Sequence, residues 1–363
     1  MRHWIALSAT CLLLGMGEAA GSDDPLLDTA EPTPSQRWHW SAFGDLMLRA
    51  EQTHAIPARS DDLERLRSRL RLGTRGEYGD LELGVALEAA LGSDANADNR
   101  RNLDNEASDD VNLDQFYGRY RLGPDSGIEL GKAPLPLALT PMLWDADLRP
   151  IGLSVAHSRA VGGWHRISLV AGYFAGDHRY HDDSRLRAAQ LGWHWREGSQ
   201  LALDAALAWL DFSELGDLVA GGLARTNRRD GARFLHRFEL LDAQLGLAAQ
   251  LGDWPLRLRL DWVRNTAAAD QDQGGRVSLA LGDSQNARGL ELSATYQRIQ
   301  RDAVLAAFND DDWWFHSFSR GASVALGYGL SEHWRLRLVH FDERRDGVSE
   351  RTRRTLLELR SDW

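Results

Sequence analysis

The chain has 363 residues and a formal net charge of −11, with 42 Lys plus Arg against 53 Asp plus Glu, a balance that argues against nucleic acid as a partner. Its single cysteine, Cys11, lies in a stretch with the order of a secretory leader: Arg2, an apolar run from Trp4 to Leu14, then small residues from Gly17 to Gly21. With cleavage expected between Ala19 and Gly21, the leader spans residues 1–21, and the mature chain has no thiol for a disulfide, a metal or a nucleophilic step.

A short segment, 22–37, precedes the first alternating stretch, FGDLMLRAEQ at 43–52. The next, ERLRSRLRLGTR at 64–75, sets Arg65, Arg67, Arg69 and Arg71 against Leu66, Ser68, Leu70 and Leu72. A period of two is that of a strand, so the four guanidinium groups share one face. Neighbours on that face stand about 7 Å apart. Their repulsion is about 0.6 kcal/mol in water and at most about 12 kcal/mol in a dry interior. The Arg face therefore needs water, or water with carboxylates.

The alternation continues along the chain. Leu81, Leu83, Val85, Leu87 and Leu91 oppose Glu82, Gly84, Ala86 and Glu88. Further on, Leu241, Leu245, Leu247 and Leu251 oppose Asp242, Gln244 and Gln250, and Leu256, Leu258, Leu260 and Trp262 oppose Arg257, Arg259 and Asp261. Leu290, Leu292 and Tyr296 oppose Glu291, Ser293 and Gln297, and Trp334, Leu336 and Leu338 oppose Arg335 and Arg337. Sixteen such segments start near 40, 64, 80, 111, 127, 152, 164, 185, 200, 234, 255, 275, 289, 316, 333 and 352. The fifth, sixth and twelfth are weak and short.

Connections alternate between short (GEYGD, GPDSG, RAVGG, REGSQ, GDWP, GDSQNAR, GLSEH) and long, near 53–63, 92–110, 133–151, 176–184, 212–233, 265–274, 302–315 and 342–351. The pattern predicts an all-β, antiparallel up-and-down transmembrane barrel of about sixteen strands (14–18) over residues 38–363. Short turns would lie at the periplasmic end and long loops outside. Leucine rows would touch lipid, because one Arg at mid-bilayer costs about 2–4 kcal/mol. A soluble sandwich fits less well, since its strands average about 5–6 residues. Trp38, Trp40, Trp164, Trp193, Trp195, Trp254, Trp334 and Trp363 gather at the short-turn end, as an interfacial girdle would.

The region 113–152 is the most individual. It contains Leu113, Asp114, Gln115 and Tyr117, then Gly131 and Lys132, then Trp144, Asp145, Asp147, Leu148, Pro150 and Gly152. These motifs resemble the bacterial putative porins of Gram-negative outer membranes, over roughly residues 43–175. The resemblance implies a diffusion channel whose substrate is usually unassigned. The terminal aromatic Trp363 looks like the signature read by the barrel assembly machinery, where Phe is commoner.

Four of the ten prolines fall between 134 and 150, so this segment leaves the wall. It is expected to fold inward as 133–151, with Lys132, Trp144, Asp145, Asp147 and Arg149 at a constriction and both acids facing the Arg ladder; the alternative is an outside loop with solvated acids. Lumen candidates are Arg49, Arg65, Arg67, Arg69, Arg71, Arg119, Arg257, Arg259, Arg335, Arg337 and Arg360, with Glu82 and Glu88. Carboxylates at Asp45, Glu51, Asp261, Glu291 and Glu358 can pair with them across the wall. Acid-rich loops, including NDDDWW, read as solvated rather than metal-binding.

The function expected is a passive channel for small hydrophilic solutes, with a lean towards anions, since Arg grips carboxylate and phosphate well. No cofactor or metal is implied; lipid and lipopolysaccharide would surround the barrel, and an oligomer is compatible. The alternatives are an exporter of an anionic polysaccharide, similar to alginate-export barrels with Arg-rich lumens, and a barrel enzyme. For the enzyme the histidines offer no clear dyad: His316 and Ser317 are adjacent and would point to opposite faces.

Overall fold

The computed structural model describes residues 37–58, 60, 62–92, 111–175, 182–198 and 200–363. The expected leader, nearly all of the 22–37 segment, and most of the loop near 92–110 lie outside those residues, as does the 176–181 stretch.

Sixteen antiparallel strands close into one barrel. In chain order they are β1 (His39–His54), β2 (Leu63–Tyr78), β3 (Leu81–Gly92), β4 (Val111–Gly123), β5 (Ser126–Lys132), β6 (Ile151–Val161), β7 (His165–Ala175), β8 (Arg185–Glu197) and β9 (Leu201–Ser213). A loop then carries the helix α1 (Gly216–Ala220) and a two-stranded ribbon, β10 (Arg229–Asp230) and β11 (Arg233–Phe234). The wall resumes with β12 (Phe238–Leu251), β13 (Trp254–Asn265), β14 (Gln273–Gly282), β15 (Leu290–Ile299), β16 (Ser319–Gly329), β17 (Trp334–Arg345) and β18 (Thr352–Asp362). Each strand pairs with its neighbour in the chain, β9 with β12 across the ribbon, and β1 with β18 closes the ring.

Strand ends fall close to the periodicity. The two largest shifts have local causes. The tenth wall strand begins at Phe238 rather than near 234, because Arg233 and Phe234 are used by the ribbon. β16 begins at Ser319 rather than near 316, because His316 and Ser317 are buried in the preceding loop. The weakness of the fifth segment is real: β5 has only 7 residues.

Register is fixed by the two-sided pattern, since a slip of one residue would exchange every inward and outward side chain. Leu292 pairs with Leu326, Leu326 with Leu338, and Leu338 with Leu357, all exposed on the outer surface. No fold in water would leave so many contiguous leucines bare; an apolar band around a closed barrel is the surface lipid requires. The exposed aromatics Trp38, Trp40, Tyr78, Tyr120, Trp164, Trp254, Trp334 and Trp363 ring the short-turn end. There Gly44 and Trp363 exchange backbone hydrogen bonds at 3.1 Å each, and the indole lies over Gly44, where a Cβ would come within 2.8 Å of the ring. Leu338→Arg should destabilise the folded barrel by about 2–4 kcal/mol, read as a lower urea midpoint for loss of the heat-modifiable band.

Candidate functional site

The Arg ladder is built on β2 and completed by its neighbours. Register brings Glu51 opposite Arg65, Asp45 opposite Arg71, and Arg71 opposite Glu88. Glu51 is the hub. It accepts from Arg65 through Nε at 2.9 Å and Nη2 at 2.7 Å, from Arg67 at 3.0 Å and from Arg354 of β18 at 3.0 Å. Arg49 adds a contact to Glu51 at 3.5 Å and reaches Glu358 at 2.5 Å and Asp312 at 2.9 Å. Arg71 holds Glu88 at 2.7 Å, Asp147 at 3.0 Å and Asp114 at 3.4 Å. Arg69 donates to Asp147 and, at 3.1 Å, to Asp45.

The ladder is thus paired with carboxylates and buried, with some guanidinium nitrogens, among them Arg69 Nε and Arg71 Nη2, making no hydrogen bond among the described residues. Side chains of Arg49, Arg65, Arg67, Arg69 and Arg71 are at most 7% exposed, so carboxylate pairing across the wall, and not open lumen water, surrounds the ladder at this depth. Charges open to the lumen lie nearer the short-turn end. Arg337 is 41% exposed beside Glu358, and Arg257 is 34% exposed on Glu291. Arg335 pairs with Asp362, and Arg119 is clamped by Glu82 at 3.1 Å and by Glu129.

Loop 133–150 runs across the interior. Gln190 of β8 brackets Ala138, donating to its carbonyl at 2.9 Å and accepting its N–H at 2.8 Å, and Gln244 of β12 donates to the same carbonyl at 2.7 Å. The Thr140 hydroxyl donates to Asp261 of β13. On the far side Asp147 meets Arg69 and Arg71 of β2. Asp145 differs from expectation. It is buried and accepts the Asp147 N–H at 2.7 Å, while its own N–H donates to Phe308 at 2.7 Å. Trp144 is likewise buried, against Phe308 at 5.5 Å. Arg149 approaches Asp114 at 3.6 Å, and Lys132 ends β5 in the wall, opposite Phe116 and Ile151, rather than in the loop.

Two further loops enter the barrel, which the sequence reading missed. Loops 214–237 and 300–318 share one apolar core with loop 133–150, made from Leu137, Met142, Trp144, Leu218, Leu223 and Phe308. The wall of β7–β9 and β12 meets this core with Phe174, Leu186, Leu210, Phe212, Phe238 and Leu240. Asn227 stitches loop to loop, donating to the carbonyls of Arg301 at 2.7 Å and Val304 at 3.0 Å. NDDDWW is therefore not a solvated loop. Its Asp312 binds Arg49, and the Asp310 carboxyl is pushed well above the usual range by burial and by the charges of Asp312, Asp145 and Asp311.

In cross-section the loop-end half of the lumen has an apolar side, filled by loops, and a charged side formed by β1, β2 and β18. Acidic edges of loops 133–150 and 300–318 touch the charged side. Beneath loop 133–150 lies a cavity of about 90 Å³ lined by Ser158, Arg166, Ser168, His194, Asp204 and Arg259, among others. His194 faces Asp204 at 2.5 Å, turned into the lumen. Among the described residues no carboxylate comes within 4.0 Å of Arg166 or Arg259; their nearest partners are Ser158 at 3.3 Å and Gln244 at 3.5 Å.

This architecture has counterparts among solved structures. Pseudomonas putida OprB superposes with a TM-score of 0.59 at 13% identity, over 89% of this chain and 94% of that one. The fold is that of a bacterial porin. A loop-deletion mutant of OmpT, an outer membrane protein of Vibrio cholerae, gives a TM-score of 0.55 at 13% identity, over 90% of this chain and 99% of that one. A mutant of Rh. blastica porin gives 0.51 at 13%, over 90% and 100%. No family model and no curated protein sequence matches the chain. The porin fold therefore rests on architecture, which the sixteen-strand closure and the inside-out pattern supply independently.

Proposed function

We propose that the chain is a passive channel of the outer membrane, with its long loops facing out. Small hydrophilic solutes cross its lumen past a narrow half in which Asp147 and Asp312 tie loops 133–150 and 300–318 to the arginines of the β1 and β2 wall. The observation that carries this reading is the closed barrel with leucines outside and charged residues inside, an arrangement that makes sense only with lipid around it and water through it. Loop 133–150 is the constriction, with Asp147 closing on Arg69 and Arg71. The pore-lining set is Arg257, Arg259, Arg335 and Arg337 in the wide half, and the buried ladder sets the field at the narrow half.

A preference for anions of small size is supported by Arg166 and Arg259, which among the described residues make no ion pair within 4.0 Å, although Asp204 lines the same cavity. The core shared by three loops narrows the lumen, which favours small solutes over a polymer. Planar-bilayer recording across a salt gradient tests the proposal. Wild type should give discrete steps with an anion-leaning reversal potential. Arg67→Ala, Arg69→Ala and Arg71→Ala together leave Glu51, Asp45, Glu88 and Asp147 with fewer cations, so the reversal potential should move towards cations. An unchanged potential would remove the ladder from selectivity, and absence of steps would remove the channel.

A further inference from the structure

The outer wall carries a charged feature that a channel does not use. At the loop end of three consecutive strands the penultimate residue is an arginine: Arg298 of β15, Arg320 of β16 and Arg344 of β17. These are outward positions, in phase with Tyr296, Val324 and Leu338, which are exposed. Register sets Arg298 directly opposite Arg320, and Arg320 directly opposite Arg344. Like charges placed directly opposite on one face repel. Carboxylates do little to relieve them. Arg320 reaches Asp346 only at 4.0 Å, and Asp342 on the same face is engaged by Arg351 at 2.8 Å. Among the described residues no carboxylate lies within 4.0 Å of Arg298 or Arg344.

A groove begins beside this row. Gly275 of β14 stands between Trp262 and Arg298 in register, and a Cβ there would meet only the Asp261 carbonyl at 3.7 Å. The missing side chain opens a trough of about 560 Å³ on the outer surface, walled by Trp262, Val277, Tyr296 and Arg298 and capped by Gln273 and Gln300. An apolar trough ending at a row of three guanidinium groups is shaped for an amphipathic anion.

We propose that this row and trough dock a phosphorylated glycolipid of the outer leaflet, of the lipopolysaccharide type, with phosphate spanning Arg298, Arg320 and Arg344 and an acyl chain over Gly275 between Trp262 and Tyr296. Adjacent strands lie about 4.8 Å apart, so one tetrahedral phosphate can bridge two guanidinium forks, which match its oxygens in pairs. A third arginine is left for a second phosphate, which a doubly phosphorylated glycolipid carries and a common phospholipid does not. The inference rests on the outward orientation of the long loops in the proposed function, since only that end meets the outer leaflet.

The test uses the whole barrel in detergent, with lipid A, phosphatidylglycerol and inorganic phosphate as separate probes, read by native mass spectrometry. Wild type should retain lipid A. The variant Arg298→Gln/Arg320→Gln/Arg344→Gln should bind it about tenfold more weakly or worse, and so should Gly275→Leu, which fills the trough and leaves the charges in place. Phosphatidylglycerol should bind more weakly than lipid A, and phosphate should not displace it. Equal retention by wild type and both variants would overturn the site. Equal binding of phosphatidylglycerol, or displacement by phosphate, would overturn the glycolipid assignment. Single-channel conductance of the variants should match wild type, so a lost channel and a lost lipid site are read separately.

Discussion

Deleting residues 137–148 should raise single-channel conductance several-fold and shift selectivity further towards anions. The segment supplies Leu137, Met142, Leu143, Trp144 and Leu148 to the internal core, the Thr140 bond to Asp261, and Asp147 to the ladder. Its removal widens the passage and strips two acids, Asp145 and Asp147, while Arg69 keeps Asp45 and Arg71 keeps Glu88. The sign of the selectivity change follows from that imbalance. The wall strands hold their ladders without the loop, so the barrel should still assemble and show a heat-modifiable band. Conductance equal to wild type in a folded deletion variant would mean that the narrowest point lies elsewhere.

Glu51→Ala should cost about 3–5 kcal/mol of barrel stability, because it removes one carboxylate and leaves buried guanidinium groups without compensation. Arg65, Arg67 and Arg354 all donate to Glu51, and the side chains of Glu51 and Arg65 are fully covered. Glu51→Gln keeps the volume and one acceptor oxygen but not the charge, so most of the loss should remain. Urea titration of the folded band, wild type beside both variants, measures it. A loss below about 1 kcal/mol, the size of an exposed ion pair, would show that water screens the cluster and that the ladder is wetter than its burial suggests. The buried pairing is weak evidence of net stabilisation in itself; what it supplies is a single arrangement of the charged wall, from which one partner cannot be removed cheaply.

Much of the wall was legible in the sequence. A period of two over ten or more residues admits one strand face in lipid and one inside, and the Gly- and Asp-rich turns mark the short ends. Glu51, Asp45, Glu88 and Glu358 were readable as ladder partners from parity alone. Arg354 shares the parity of Glu358 and Arg360 and could have been found the same way. Parity could not show how the loops fold. Loop 133–150 betrayed itself through its prolines, but Asp145 and Asp147, two residues apart, turn to different partners because the segment is not a strand. Loops 214–237 and 300–318 carried a usable signal that was passed over: LVAGGLA and AVLAAF are too apolar for loops bathed in water, and AVLAAF is buried throughout while LVAGGLA buries Leu218, Val219, Leu223 and Ala224. The outward arginines at 298, 320 and 344 look like ordinary strand-end residues until register lines them up.

The alternation itself can be tested at two adjacent residues. Arg337 faces the lumen and Leu338 the outside, both on β17. In a chain whose one cysteine, Cys11, is replaced by serine, Arg337→Cys and Leu338→Cys should separate cleanly when the barrel is reconstituted in a planar bilayer. A charged, membrane-impermeant thiol reagent should react with Cys at 337 and reduce the current in steps, and should leave Cys at 338 untouched, which only a lipid-soluble maleimide should reach. Reaction of both positions with the charged reagent, or of 338 alone, would contradict a closed cylinder with leucines in hydrocarbon and charges in water.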